Sequence, residues 1–533
     1  MNVSELIATT LRAAGIETIY GYPGDPSVEF LEGCRKEGVE FVLARREGTA
    51  GLMAEAYGML TGKPGVTLST LGPGSTNLVN AVANAHLDRV PMIALSGQID
   101  TQRRPTFTHQ VVDQHAIFAP VAKWVADVAP HNTGEVMRKA LRMAVAPRPG
   151  PVHLSTPADV VGADVVGAAA TDAAADLPPT GPEDVEALTL GGGAAAMFEG
   201  ARRPIVLYGI SAMQAGAGPE LVALAERTGA ALVSSPMAKG TVDETHPLFA
   251  GTLDMACNAV MWSFMDEADL IVAAGFDAVE LIKPWKVSAD VLHVDVVPNT
   301  DQIYAAVREV VAPLRASLRA LTGAVAESEG WGEAAIRRHR EGLRDAYLSG
   351  RVGHAVNPSE VVDAVLDAAP GAVVSTDVGS HKLLVGQGWR ATRERSFLMT
   401  NGLSSMGFSL PAAIAAAKLH PDREVVCFTG DGGLAMVQSE LQLAASLGLS
   451  LRVVVFLDRS LNRIELKQMA KGYPSTGTVI EDTDIEKLAS AMGCDGIVCE
   501  TEAAMADALS RAPQGRPLVV GVRVDPAQYE AQF

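Results

Sequence analysis

The sequence predicts an α/β protein made of three doubly wound parallel-sheet domains, and three observations support that class. At 533 residues the chain exceeds what one hydrophobic core serves, and at roughly 100 to 200 residues per domain it suits about three. Short apolar runs bounded by glycine or proline alternate with longer stretches of helical period along most of its length. Several of those runs end in glycine-rich turns directly before a helix, where parallel sheets bind ligands.

In the first unit, residues 1–165, "ELIATTLRAAG" reads as a helix and "TIYGYPG" as a strand and turn. "GTAGLMAEAYGMLTG" follows as a helix, "GVTLSTLGPG" as strand and turn, "NLVNAVANAHLD" as a helix and "PMIALSGQ" as a strand. The stretch 162–184 is rich in Ala, Asp and Pro without any period, and its part 166–184 reads as a linker. A central unit, 185–345, has strands "PIVLYG" (204–209), "LIVAAG" (270–275) and "VLHVDV" (291–296). Its polar close, "EGWGEAAIRRHREGLRDAYLSGR", reads as a solvated helix bridging onward. The third unit, 355–533, opens at "NPSEVVDAVLDAAP" and repeats the rhythm through "AVVSTDVG", "GFSLPAAIAAAKLH", "EVVCFTGDGG", "LRVVVFLDRS" and "PLVVGVRVD".

With 48% hydrophobic and 20% charged residues the composition is that of an ordinary globular protein. The 43 basic and 62 acidic residues give a formal charge of −19, which argues against nucleic acid or an acidic membrane surface as a partner. The five cysteines form no CxxC pair, so a reducing compartment, no disulfides and no zinc site are expected. The opening "MNVSELIATTLRAAGIETIYGYPG" reads as an amphipathic helix and a strand, and no run of 18 apolar residues follows. The expected location is the cytoplasm.

The most informative stretch is "CFTGDGGLAMVQ" (427–438). Val425–Phe428 reads as a strand buried on both faces and Leu434 onward as a helix, which leaves Asp431 at a strand-to-helix turn. Free amides at a helix start attract anions, and an acid beside a phosphate suggests a metal between them. The next strand, "LRVVVFL", ends at a second acid, Asp458, 27 positions later. Magnesium takes oxygen ligands in an octahedron, so two carboxylates, one backbone carbonyl and a diphosphate would complete a site. Gly379, Ser380 and His381 in "STDVGSHKLL" end a third strand and could hold further phosphate oxygens. The plainer alternatives are an ordinary Gly-Asp-Gly turn and a structural histidine.

A GDG turn followed about 27 residues later by Asn or Asp resembles the metal-diphosphate motif of thiamine-diphosphate enzymes. "GYPGDPSVEFL", "REGTAGLMAEAYGMLTGKPGV", "LGPGSTNLVNAV", "THQVVDQHAIFAPVAKW", "NGLSSMGFSLPAAIAA" and "TGDGGLAMVQSELQ" together resemble the acetolactate synthase branch of that family. The resemblance implies pyrimidine-binding, central and diphosphate-binding domains in that order. It also implies thiamine diphosphate and Mg2+ as cofactors. Glu47 would bond the pyrimidine ring and promote proton loss from the thiazolium C2. Met406 would wedge the cofactor into its bent shape, with Ser404 beside it. Asp431, Asp458 and the Ser460 carbonyl would ligate the metal, and Gly430, Gly432, Gly433 and Leu434 would lie along the diphosphate, with Gly379, Ser380 and His381 completing its cradle. Because Glu47 and the metal turn fall in different domains, family members build each site across two subunits. A homodimer or homotetramer is expected.

The implied reaction joins a 2-keto acid, after loss of carbon dioxide, to a second 2-keto acid, pyruvate giving 2-acetolactate. "AAGFDAVELIKPW" followed by "VLHVDVVP" resembles the FAD-free catabolic branch, and "YGISAMQAGAG" is too loose a glycine pattern for a dinucleotide, so FAD is not expected. His109 and Gln110 match the branch, and Gln110 is a candidate catalytic contact, while Arg103 and Arg104 accompany them. Three departures stand out. Arg46 and Gly48 flank Glu47 where the branch has His and Gln, Leu457 precedes Asp458 in place of an Asn, and "DRSLNRIELKQ" differs where the family's segment nears substrate, its Arg459 and Arg463 being either charges for an anionic substrate or solvated helix charges. The competing readings are a decarboxylase or lyase of another 2-keto acid or acyl donor, and a non-catalytic homologue.

Overall fold

Runs such as Arg452–Leu457 and Leu270–Ala274 are buried at every position, as strands covered on both faces must be. A computed structural model, describing residues 1–166, 188–189, 193–353 and 355–533, assembles such runs into three six-stranded parallel sheets. The first contains β1 (Thr18–Tyr22), β2 (Glu40–Leu43), β3 (Gly65–Ser69), β4 (Met92–Gln98), β5 (Trp124–Asp127) and β6 (Pro151–Pro157), in the order β2-β1-β3-β4-β6-β5. The second contains β7 (Pro204–Tyr208), β8 (Ala231–Ser234), β9 (Phe249–Thr252), β10 (Leu270–Ala274), β11 (Asp290–Asp295) and β12 (Arg308–Val311), in the order β12-β11-β10-β7-β8-β9. The third contains β13 (Val373–Thr376), β14 (Phe397–Met399), β15 (Val425–Gly430), β16 (Arg452–Leu457), β17 (Asp495–Cys499) and β18 (Leu518–Arg523), in the order β14-β13-β15-β16-β18-β17. The first and third sheets therefore share one topology, with helices returning the chain between parallel strands.

Each sheet has a place where the chain reverses its direction of growth, between β1 and β3 in the first and between β13 and β15 in the third. Ligands of such sheets sit in the crevice that opens there, at the carboxyl ends of the strands. The sequence reading found most of the central strands and missed the central β6 and β8 together with the edge strands β5, β9, β12, β14 and β17. Edges are short and often half-exposed, as β12 is, so they carry no long apolar run to detect. The linker assigned to 166–184 lies outside the described residues apart from Val166. One boundary differs: β15 runs on to Gly430, and the helix expected from Leu434 starts at Asp431 itself.

The helix Glu47–Thr61 is buried along nearly its whole length and ends at Gly62 in the left-handed conformation, φ 70°. It packs on the helix Ser409–Leu419 of the third domain and on Gly72–Leu87 of its own. One core runs continuously through all three sheets, while a second, with Ile7, Ile19, Phe30 and Leu154, backs the outer face of the first. Gly51 permits the helix contact, since a Cβ there would lie 2.9 Å from Leu78 Cδ1 and closer still to Ala81. Gly51→Ala should overpack this crossing at a cost of about 1 to 3 kcal/mol, read as a lower midpoint temperature of thermal unfolding.

Candidate active site

Pairing of Gly430 with Phe456 in the third sheet brings the tips of β15 and β16 together, and with them Asp431 and Asp458. Asp431 Oδ1 accepts the Gly432 amide at 2.8 Å and Oδ2 accepts the Arg459 amide at 2.7 Å. Asp458 Oδ1 accepts the Ser460 amide at 3.0 Å, and the Ser460 hydroxyl donates to Glu465. These bonds orient both carboxylates and leave each of them free lone pairs. Burial raises the pKa of Asp431, and burial reinforced by the Asp431 charge pushes Asp458 up to about 7. Two adjacent acids that both resist ionisation make a site that a cation would stabilise.

The crevice between β13 and β15 supplies the rest. Gly379 opens the helix Ser380–Gly388 at φ 153°, and a Cβ there would press on the His381 ring at 2.8 Å. His381 is buried and stacks on Phe456 at 5.2 Å, and its Nε2 has no hydrogen-bond partner among the described residues. Burial, then the neighbouring Lys382 charge, lowers its pKa to about 3, so the ring is neutral. The Ser380 hydroxyl donates to Asn462 Oδ1 at 2.6 Å, tying this turn to the segment after Asp458. Asp377 accepts the amides of Val378 (2.8 Å) and Gly407 (2.9 Å) and the Thr429 hydroxyl (3.3 Å). Gly433 has no side chain because Asp377 and Thr429 already fill the space a Cβ would need.

The loop after β14 completes this half. Ser404 adopts a left-handed conformation, φ 56°, costly for a residue with a Cβ, and its hydroxyl donates to Asn401 O at 2.9 Å. Met406 reaches toward Gly432, with Ile480 and Leu461 on the same side. In the first domain Glu47 heads its helix, buried, with Oε2 accepting the Asn77 amide group at 3.2 Å and Oε1 facing Gly74. Gln110 lies on the exposed stretch before Asp113, φ 57°, with its backbone packed over Gly72, two residues from the Gly74 that Glu47 faces. Arg46 is exposed and its side chain does not cap the helix, and Arg459 is likewise exposed.

Comparison with known proteins fits this geometry. Residues 1–117 match the thiamine pyrophosphate enzyme N-terminal TPP binding domain, 192–321 its central domain and 377–522 its C-terminal TPP binding domain. The chain is 31% identical to an acetolactate synthase large subunit of Parasynechococcus marenigrum, over 96% of this chain and 86% of that one. It belongs to the thiamine-diphosphate-dependent acetolactate synthase family. A catabolic acetolactate synthase of Raoultella terrigena is 28% identical over 98% of this chain and 95% of its own. A probable 2-ketoarginine decarboxylase of Pseudomonas aeruginosa is 30% identical over 93% and 89%.

Thiamine diphosphate is the cofactor of this family, and the residues at the β13/β15 crevice fit its diphosphate: glycines that leave room, a neutral buried ring with a free nitrogen, and helix starts. No group of three or more His, Cys, Asp or Glu among the described residues could hold a metal unaided, and no described helix is long and apolar enough to cross a membrane. Four side chains escaped the sequence reading: Asp377, Lys382, Asp88 and Glu280. Each is a lone charge inside an apolar run or ordinary turn, and only burial distinguishes it. Since the native Asp458 binds its proton more tightly than the unfolded chain does, the metal-free protein should lose stability as pH rises from about 4 to about 7 and level off above. Asp458→Asn should flatten that slope in thermal melts of metal-free protein.

Proposed function

We propose that the protein is a Mg2+-dependent carboligase of 2-keto acids, converting pyruvate to 2-acetolactate and carbon dioxide. The observation that carries this reading is the pair of buried Asp431 and half-buried Asp458, set side by side at neighbouring strand tips in a chain of the acetolactate synthase family. Asp431, Asp458 and the Ser460 carbonyl would hold the magnesium, and Gly379, Ser380, His381, Gly430, Gly432 and Gly433 would line the diphosphate. Bound thiamine diphosphate supplies a carbon nucleophile and an electron sink for decarboxylation. Glu47, oriented by Asn77, would hold a proton against the pyrimidine ring, and Ser404 and Met406 would fix the ring's angle. Gln110 would contact substrate from the first domain.

The active site is proposed to form between subunits. Apolar side chains lie exposed around the metal turn, with Ile464 at 49%, Tyr473 at 61% and Val479 at 70%, and Tyr22 and Leu43 lie exposed near Glu47. Such patches mark surfaces that another chain covers. FAD is proposed to be absent from the working enzyme. At the carboxyl edge of the central sheet, Glu280 accepts the Ile210 amide at 2.9 Å, the Asp277 amide at 3.0 Å and the Ser235 hydroxyl. Support for this comes from the Glu280 side chain already taking the first amide of the helix after β7, a donor that would otherwise be open to a phosphate. The expected setting is the cytoplasm, in line with the acidic charge of −19 and five free cysteines.

A second reading, decarboxylation of a different 2-keto acid, draws support from the 2-ketoarginine decarboxylase relative and from Arg46 and Gly48 beside Glu47. Incubation with thiamine diphosphate, Mg2+ and pyruvate, without FAD, should yield acetolactate and carbon dioxide together; free aldehyde as sole product would favour the second reading. Glu47→Gln should lower kcat by about 100-fold or more while thiamine diphosphate still binds, and an unchanged rate would remove Glu47 from the chemistry.

A further inference from the structure

Beneath the loop that carries Ser404 and Met406 lies a cation with no part in the mechanism above. Lys382 is 4% exposed, and its Nζ donates to Thr400 O at 2.6 Å. The same Nζ lies 3.4 Å from Asn401 Oδ1 and 3.4 Å from Ser404 Oγ. Among the described residues no carboxylate is in ion-pair contact with it. Two buried acids nevertheless flank it and feel its charge, Asp88 from the first domain and Asp377 from the third.

Those two acids hold the loop at its ends. Asp88 accepts the amides of Asn401 (3.0 Å) and Gly402 (2.5 Å). Asp377 accepts the amides of Gly407 (2.9 Å) and Phe408 (3.4 Å). Asn84 adds to the first grip, donating to Asp88 at 3.2 Å and to Glu55 at 2.8 Å while accepting the Thr400 hydroxyl at 2.7 Å. The groups facing the ammonium are therefore Asp88, Asp377 and the neutral His381 ring, with Glu55 behind Asn84.

Burying an ammonium costs several kcal/mol, so an apolar side chain of similar length would fill this space at less expense. A cation here does what an apolar residue cannot: its charge opposes the effect of burial on the flanking acids by favouring their ionised forms, and ionised acceptors bind the loop amides more strongly than neutral ones. It also donates to the loop directly at Thr400. The left-handed Ser404 needs such over-determination, since strain of roughly 1 to 3 kcal/mol persists only where the surroundings fix it.

We propose that Lys382 is a positioning residue, which locks the loop 400–407 between Asp88 and Asp377 so that Ser404 and Met406 present one conformation to thiamine diphosphate. The inference rests on the cofactor reading above.

Isothermal titration of cofactor-free protein with thiamine diphosphate and Mg2+ tests it, together with the circular-dichroism band of the bound cofactor. Lys382→Met should weaken binding about 10- to 100-fold, the range for residues that orient direct ligands, and should alter the band. Lys382→Arg should recover part of both. The charge-balanced double variant K382M/D88N should melt at the wild-type temperature and still bind weakly, which separates positioning from folding. Wild-type affinity and an unchanged band in folded Lys382→Met or in the double variant would overturn the proposal. Wild-type protein that binds no thiamine diphosphate would overturn the cofactor reading itself, and the role of Lys382 with it.

Discussion

Two like charges held side by side at the tips of parallel strands are the constraint on which the rest of this molecule depends. Asp431 and Asp458 occupy neighbouring positions because β15 and β16 pair in register, and both resist ionisation because the sheet that aligns them also buries them. Backbone amides of Gly432, Arg459 and Ser460 offset part of that cost. The remainder of that cost is what a cation bound between the two carboxylates would relieve, and in the proposed site a diphosphate on the adjacent helix starts would supply further oxygens to it.

The same economy of buried charge links the domains. Glu440 of the third domain accepts the Arg45 amide at 2.9 Å and the Thr49 hydroxyl, so both sides of Glu47 are tied to the domain that carries Asp431 and Asp458. Asp88 returns the connection by gripping the loop before Met406. In the central domain Lys239 and Glu244 form a fully buried pair at 2.8 Å, and Glu244 also accepts the Ala391 amide from the third domain. Such pairs add little net stability, yet they penalise any arrangement that separates the partners.

Much of this was legible in the residues. The central strands are continuous apolar runs such as "RVVVFL", and a strand buried on both faces admits little else. The acids at strand ends could be found because a charge directly after such a run has no packing reason to be there. Edge strands such as β12 and β17 were not legible, because half their residues face solvent and composition no longer separates them from loops. The start of the helix at Asp431 was also missed, since a Gly-Asp-Gly turn and the first turn of a helix have the same local sequence.

The sequence by itself determined the class of fold, the family and the placement of Asp431 and Asp458 at strand ends, because hydrophobic period and short glycine motifs are local properties. Tertiary structure alone decided which buried charges act together: Lys382 with Asp88 and Asp377, Glu280 with the amide of Ile210, His381 with an unpartnered nitrogen against Phe456. The partners in these groups are up to about three hundred residues apart in the chain. Their energetics follow from burial and distance, and neither exists until the sheets have packed.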